Sequence, residues 1–270
     1  MPLYTDQIGF TTQIDSPPRR IVSLVPSQTE LLFDLGLDET VVGITRFCIY
    51  PTFKIQDKTQ VGGTKNPDLE LIRSLKPDLI IANKEENREE DILALKQDFS
   101  VWISDVNTLA EATDMIRKLG EILENSSSAD WIAERIERQF QAFRESQATS
   151  HVPRRVAYMI WQKPWMVAGG NTFIDSMLAE AGFQNAFKDQ ARYPECSQLD
   201  LEAAHPDVIF LSTEPFPFQE KHREQLQALF PQTQVLRVNG ELFSWYGSRL
   251  LRSPAYFQKV LEQLTLLSSK

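Results

Sequence analysis

Aromatic and polar side chains are concentrated in the segments that follow the predicted strands of this 270-residue chain. In open parallel sheets, ligands lie at the carboxyl ends of the strands, so these segments are the expected contact surfaces. Aromatic faces with a few polar anchors suit a large flat or amphipathic ligand. In the first half of the chain, the candidates are Phe47, Tyr50, Thr64, Lys65, Asn83 and Lys84. In the second half, they are Trp161, Lys163, Trp165, Tyr193, Glu195, Glu214, Phe216, Phe218, Phe243, Trp245, Tyr246 and Arg249.

These side chains also have structural interpretations. The rings of residues 214–218 and 242–246 could pack beneath their own loops, and residues 84–90 predict a solvated helix start. The cations of both halves could hold a carboxylate or phosphate of the ligand, or could be solvated charges at the rim of the site.

The elements that must position these residues occur twice along the chain. Residues 71–81 and 199–211 both predict a short amphipathic helix, a Pro-Asp turn and a buried strand. Each helix ends there because proline disfavours helical backbone at the preceding residue. The continuous apolar run after each turn is typical of a parallel strand that is covered on both faces.

Each copy opens with a strand and a capped helix. In the first copy, Ser27 and Glu30 form a capping box that predicts a helix at residues 29–35. In the second copy, Asn171 or Thr172 caps the corresponding helix. Because repeated strand–helix–strand units form parallel sheets with right-handed crossovers, the sequence predicts an α/β protein of two Rossmann-like lobes.

A long helical stretch separates the two copies. Apolar residues recur there at helical spacing and predict one helix over residues 127–147, about 30 Å long at about 1.5 Å per residue. A helix of that length between two lobes would restrain hinge motion, whereas the alternative is an ordinary surface helix within one domain. The predicted organisation is an N-terminal lobe at 1–106, a helical linker at 107–150 and a C-terminal lobe at 151–270.

The charge balance excludes several partners. A net charge of −9 argues against nucleic acid, which needs a clustered basic surface, and against an anionic membrane. No apolar run approaches the roughly 20 residues that span a bilayer. The first ten residues lack the pattern of a secretory signal, which predicts either a cytoplasmic protein or a chain trimmed to its mature start.

Residues that could support metal binding or catalysis are sparse. The three histidines, His151, His205 and His222, do not converge with carboxylates in the predicted loops, so we expect no zinc or manganese site built by the protein. We expect Cys48 and Cys196 to be free thiols, with a metal or redox role as the alternative. No nucleophile elbow, phosphate loop or dinucleotide fingerprint occurs, so we expect no enzyme activity.

Several motifs occur in a characteristic order along the chain. They are Arg20-Ile21-Val22-Ser23-Leu24-x-Pro26-Ser27-x-Thr29-Glu30, Val42-Gly43-Ile44-Thr45, Tyr50-Pro51, Val61-Gly62-Gly63 and Leu75-Lys76-Pro77-Asp78-Leu79-Ile80. This ordered set resembles the helical-backbone substrate-binding proteins of ATP-driven importers, the group that carries cobalamin and ferric siderophores. The resemblance extends from about residue 18 to about residue 264.

The resemblance also implies ligand contacts. Tyr50 matches a tyrosine that touches the corrin ring in cobalamin-binding members. Tyr193 matches an aromatic position of the cleft in those members, and Glu241 matches an acidic residue that contacts their ligand. Thr64 and Asn83 stand where those members have tryptophans, so cobalamin and ferric siderophores both remain candidates. With the strand-end residues, the predicted ligand-binding set is Phe47, Tyr50, Thr64, Asn83, Trp161, Trp165, Tyr193, Glu241, Trp245 and Arg249.

Members of the resembled family dock on their transporter through one acidic residue on each lobe. Glu70 matches the first of these, whereas Leu199 occupies the second position and Asp200 and Glu202 lie close by. We therefore expect a monomeric solute-binding protein without a cofactor that captures a metal-organic ligand in an interlobe cleft for an ABC permease. The resemblance implies a periplasmic location; the alternative is a cytoplasmic sensor or carrier without a transporter.

Overall fold

The computed structural model describes residues 2–147 and 153–268 and separates into two compact units. The first unit contains the described residues up to Val106, with Ala110–Ile136 and Tyr246–Arg249. The second contains Asn107–Leu109 and the described residues from Glu137 to Trp245 and from Leu250 onward. His151, one of the three histidines, lies outside the described residues.

The first unit is built on a five-stranded parallel sheet in the order β5-β4-β3-β6-β7. A small antiparallel hairpin, β1-β2, precedes it. Strands β3, β6 and β7 are buried along their whole length, as their mostly apolar sequences predict. The elements are β1 Leu3–Thr5, β2 Thr11–Gln13, β3 Ile21–Ser23, α1 Pro26–Asp34, β4 Val41–Ile44, β5 Thr59–Gln60, α2 Leu69–Leu75, β6 Leu79–Asn83, α3 Glu89–Leu95, β7 Val101–Ser104, α4 Leu109–Ile122 and α5 Ser126–Gln147.

The second unit repeats this strand order. Its sheet runs β10-β8-β11-β12 in parallel, which corresponds to β4-β3-β6-β7, and an antiparallel strand, β9, is added to β8. The predicted α/β fold with two parallel sheets is confirmed. The elements are β8 Arg155–Gln162, β9 Trp165–Val167, α6 Phe173–Glu180, β10 Gln184–Asn185, α7 Gln198–Ala204, β11 Val208–Ser212, α8 Glu220–Leu229, β12 Gln234–Val238, α9 Glu241–Ser244, a 3₁₀ turn Ser248–Arg252 and α10 Ser253–Ser268.

The duplicated helix–turn–strand segments have the same backbone geometry. After α2, Lys76 adopts the left-handed conformation with φ 45° and ψ 60°, and after α7, His205 does so with φ 44° and ψ 58°. Pro77 and Pro206 follow directly, so neither helix can continue.

The aspartate of each Pro-Asp turn clamps the start of the neighbouring strand. The Oδ2 atom of Asp78 accepts the backbone N–H of Arg20 at 3.0 Å, and that of Asp207 accepts the backbone N–H of Arg155 at 2.7 Å. Each arginine side chain in turn donates to the carbonyl of the last residue of the helix. The sequence repeat therefore encodes one local device that is used twice.

Local caps are partly as predicted. Thr172 caps α6 by accepting the backbone N–H of Asp175. The predicted capping box of α1 is wrong, because the helix begins at Pro26, its N-cap is Val25 and no side chain caps it. Ser27 therefore lies inside the first turn, and the Glu30 carboxylate contacts a distant residue, described below.

The units differ from the predicted domain boundaries in two respects. The region predicted as a separate linker is divided between them, since α5 is a continuous 22-residue helix whose residues up to Ile136 belong to the first unit. Residues Tyr246–Arg249, expected in the C-terminal lobe, belong to the first unit. Within residues 2–147 and 153–268, no helix combines the length and apolar character needed to cross a membrane.

The duplicated clamps predict matched effects on stability. Replacing Asp78 or Asp207 by alanine removes an acceptor for a backbone N–H and should lower the free energy of unfolding by about 1 kcal/mol each. Asparagine keeps an acceptor oxygen, so the Asp→Asn variants should retain most of that stability. Urea denaturation followed by circular dichroism measures both. If the alanine and asparagine variants at either position lowered the free energy of unfolding equally, the proposed role of the aspartate as a hydrogen-bond acceptor would be contradicted.

Candidate functional site

Tyr50 lies in the loop after β4, directly before a cis peptide bond to Pro51. Its ring is half-buried, and the guanidinium carbon of Arg249 lies 3.8 Å from the ring centroid. A planar guanidinium at this distance attracts the ring through a cation–π interaction. The orientation of the ring is therefore tied to that of the arginine.

Arg249 is itself held by Glu30 of α1. Its Nε donates to Oε2 at 2.7 Å and its Nη2 donates to Oε1 at 2.6 Å, which is a bidentate ion pair. Both residues are buried, at 5% exposure each. Two parallel hydrogen bonds fix the plane of the guanidinium as well as its position. The charge of Arg249 is thus matched inside the unit.

The residues just before Arg249 are anchored to the same unit. The Tyr246 hydroxyl donates to Oε1 of Glu86 at 2.6 Å, and the Ser248 hydroxyl donates to Oδ2 of Asp34 at 2.5 Å. A Cβ atom at Gly247 would lie 2.5 Å from the carbonyl oxygen of the second residue of α1, so glycine is needed for this close approach. Residues Tyr246–Arg249, here called the anchor segment, therefore pack tightly on α1.

The other candidates of the first unit differ in what they present. Phe47 is exposed, and the guanidinium of Arg46 lies 5.1 Å from its ring centroid. Thr64 is half-buried, and its carbonyl accepts the side-chain amide of Asn87 at 3.0 Å. An exposed ring and a half-buried hydroxyl can both contact a ligand.

Asn83, at the end of β6, is buried. Its Nδ2 donates to the carbonyl and hydroxyl oxygens of Ser104, and its Oδ1 accepts the backbone N–H groups of Glu85 and Glu86. Its amide thus shapes the loop after β6, which argues for a structural role at this position.

In the second unit, Trp161 is the most available of the predicted rings. It is 40% exposed near the end of β8, its indole N–H donates to the carbonyl of Lys163, and Phe216 packs edge-on at 5.6 Å. Tyr193 is half-buried, with the guanidinium of Arg192 5.9 Å from its ring centroid.

Trp165 of β9 packs against the apolar core of the second unit. It also faces a pocket of about 480 Å³ between the β8-β9 hairpin and α8. That pocket is lined by Gln162, Trp165, Phe218, His222, Gln225, Leu226, Ala228 and Leu229.

Trp245 is more buried than a freely accessible ring would be, at 7% exposure. Its indole N–H donates to Oε2 of Glu214 at 3.2 Å, and the other carboxylate oxygen accepts the Ser244 hydroxyl. Glu241 is half-buried as the first residue of α9. Trp245 therefore offers a ligand little accessible surface.

The predicted docking acids differ in their availability. Glu70 lies in the first turn of α2 with its side chain 84% exposed, where it forms an ion pair with Arg73. Asp200 is the acidic member of a capping box, and hydrogen bonds from the backbone and hydroxyl of Ser197 lower the pKa of its carboxyl. Glu202 accepts the side-chain amide of Gln198.

Both cysteines are buried free thiols. Cys48 forms hydrogen bonds with Thr29 and Thr45, and burial raises the pKa of its thiol despite them. Burial, with a smaller contribution from the charge of Asp200, raises the pKa of Cys196 to about 12. A thiol that stays protonated at neutral pH is a poor metal ligand. Among the residues that the structure describes, no three His, Cys, Asp or Glu side chains converge to hold a metal ion.

Two acids of this region are missed by local sequence patterns. Glu30 has the spacing of a cap, and Glu86 falls in a segment that predicts a solvated helix start. Burial explains the pairing of Glu30, because all residues of α1 from Pro26 to Phe33 are buried, and a buried carboxylate needs a cationic partner.

The sequence also matches a known family. The family model described as "Periplasmic binding protein" matches residues 21–232. The chain belongs to the periplasmic binding protein family. This match, with the two parallel sheets, confirms the resemblance found in the sequence and the class of solute-binding proteins.

Individual relatives have been named by their ligand or transport role. A vitamin B12-binding protein of Vibrio cholerae is 29% identical over 198 residues, which cover 73% of this chain and 71% of that protein. An uncharacterized ABC transporter substrate-binding lipoprotein of Bacillus subtilis is 28% identical, with 73% of this chain and 64% of the relative covered. The crystal structure of the periplasmic vitamin B12-binding protein of V. cholerae superposes with a TM-score of 0.77 at 26% identity, covering 91% and 97%.

The two thiols provide a test of the described burial. Because both are buried and their pKa values are raised, we expect neither to react with a thiol reagent within minutes at pH 8 in the native protein. Both should react at once in guanidinium chloride. The Cys196→Ala variant isolates the response of Cys48. Rapid native labelling of Cys48 in that variant would contradict its burial within the loop after β4.

Proposed function

We propose that this chain captures a metal-organic ligand, either a corrinoid or a ferric siderophore, for an ABC importer. The observation that carries the proposal is family membership combined with aromatic side chains at the carboxyl ends of the parallel strands. We propose that the exposed and half-buried rings of Phe47, Tyr50, Trp161 and Tyr193 supply aromatic contacts to the ligand.

The chemistry of these contacts favours a large ligand with apolar faces. Exposed and half-buried rings bind a ligand by stacking on it and by burying apolar surface. Both interactions suit flat or bulky molecules. Arg249, the buried cation next to the Tyr50 ring, is already paired with Glu30. A ligand that is bound mainly through one carboxylate would gain little from that pair, which argues against small organic acids.

We further propose that the chain has no catalytic role. Solute-binding proteins capture and release their ligands unchanged, and within residues 2–147 and 153–268 no three His, Cys, Asp or Glu side chains converge to hold a metal ion. No resident cofactor is part of the proposal, since the metal belongs to the ligand.

The proposed partner is an ABC permease, contacted by a monomer from outside the cytoplasm. The relatives named as periplasmic or lipoprotein substrate-binding proteins favour this over a cytoplasmic carrier. Glu70 is the proposed docking acid, because its side chain is highly exposed at the start of α2.

Titration tests the ligand class. We expect one of cyanocobalamin, a ferric hydroxamate and a ferric catecholate to bind with a micromolar or lower dissociation constant and a stoichiometry of one, measured by calorimetry. Binding of none of the three at millimolar concentration would contradict the proposed ligand class.

Variants then test the contacts. Burying one ring against a ligand contributes about 1.5–3 kcal/mol, so Tyr50→Ala and Trp161→Ala should each weaken binding by roughly tenfold or more. Trp131→Ala and Tyr4→Ala are matched controls, because Trp131 is a similarly exposed indole on α5 and Tyr4 a half-buried ring in β1. Unchanged affinity in both test variants, or equal losses in the controls, would contradict the proposed contacts.

A further inference from the structure

The buried pair of Glu30 and Arg249 calls for an explanation beyond stability. Taking two charges out of water is costly, and well-packed apolar residues often stabilise a protein as much as a buried ion pair does. Here the pair lies at 2.6–2.7 Å with both side chains nearly inaccessible. What an apolar replacement could not reproduce is a planar, fixed group next to the Tyr50 ring.

We propose that Glu30 and Arg249 are positioning residues that hold the Tyr50 ring, before the ligand arrives, in the orientation that binds it. The inference rests on the proposed function, in which Tyr50 contacts the ligand. It assigns the pair to the binding site without direct contact between Arg249 and the ligand.

The first step is the geometry between the arginine and the ring. The guanidinium carbon lies 3.8 Å from the ring centroid, which is a stacking distance. A flexible loop would otherwise let a half-exposed tyrosine sample several rotamers, and each would have to be given up on binding. Prior fixation lowers that entropic cost of binding.

The second step is the rigidity of the arginine. Its two hydrogen bonds end on one carboxylate of α1, a helix whose residues are mostly buried. The anchor segment is separately held by Ser248 on Asp34 and by Tyr246 on Glu86. The position of the Arg249 guanidinium is therefore fixed by its own hydrogen bonds to Glu30 and by the contacts that hold the backbone of the anchor segment.

The third step is charge. Because Glu30 neutralises the charge of Arg249, the ion pair next to the Tyr50 ring carries no net charge. Binding an apolar ligand surface against the ring therefore does not bury an unpaired charge. The pair can thus orient an aromatic contact without adding an electrostatic requirement to the ligand.

A double-mutant cycle tests the proposal directly. The test variant combines Glu30→Gln with Arg249→Met, which removes both charges and leaves no unpaired ion. We expect it to weaken binding of the tightest ligand of the panel by about fivefold when Tyr50 is present. In the Tyr50→Ala background, the same pair of changes should leave the affinity unchanged, because the supported ring is gone. The double variant Asp130→Asn with Arg117→Met, which removes an ion pair between α5 and α4 of the same unit, is the matched control and should have little effect in either background.

A spectroscopic measurement without ligand supplies an independent outcome. The chain has six tyrosines, so fluorotyrosine labelling gives a tractable ¹⁹F spectrum in which Tyr50→Phe identifies the Tyr50 signal. Arg249→Lys keeps the charge but loses the planar group. We expect it to shift the Tyr50 signal, whereas Arg117→Lys, at an arginine outside the proposed positioning contacts, should not. This variant also serves if the double variant does not fold.

The outcomes separate the two proposals. If Tyr50→Ala leaves the affinity unchanged, the proposed ligand contact fails. If Tyr50→Ala weakens binding but the Glu30/Arg249 changes weaken it equally in both backgrounds, the contact stands and the positioning role is overturned. An unchanged Tyr50 signal in folded Arg249→Lys also overturns it.

Discussion

The ion pair between Glu30 and Arg249 is the contact on which the candidate site of the first unit depends. A buried carboxylate or guanidinium left alone is strongly destabilising, so each residue requires the other across 219 positions of sequence. That requirement draws the anchor segment onto α1, where glycine at position 247 allows the backbones to approach. The guanidinium that satisfies Glu30 also lies against Tyr50. One electrostatic constraint thereby shapes both packing and the proposed contact surface.

Much of the fold could be predicted because its determinants are local. The repeated Pro-Asp turns, the apolar strands after them and the cap at Thr172 are each encoded within a few residues, and the structure uses them as expected. The duplication itself follows from finding the same local order twice. The strand order β4-β3-β6-β7 of the first unit matches the order β10-β8-β11-β12 of the second. This agreement is expected, because both units contain the same strand–helix–strand segments in the same order along the chain.

The site is less predictable, because its decisive contacts join residues that are distant in sequence. Spacing alone predicts that Glu30 caps a helix, whereas in the structure its carboxylate is paired with Arg249. Spacing also cannot tell that Asn83 is committed to backbone groups or that Trp245 is held by Glu214. Such pairings are set by the assembled sheet, so sequence patterns identify the loops at the strand ends but not which side chains remain accessible there.

The most direct test of the proposed role of Tyr50 in ligand capture is a crystal structure of the complex with the metal of the ligand located by anomalous scattering. Cobalt or iron gives a signal that does not depend on interpreting the organic part of the ligand. The account predicts one metal position, with the ligand in contact with the Tyr50 ring and Arg249 still paired with Glu30. A single metal position beside the pocket lined by Trp165 and Leu229, with no ligand atom touching Tyr50, would contradict it.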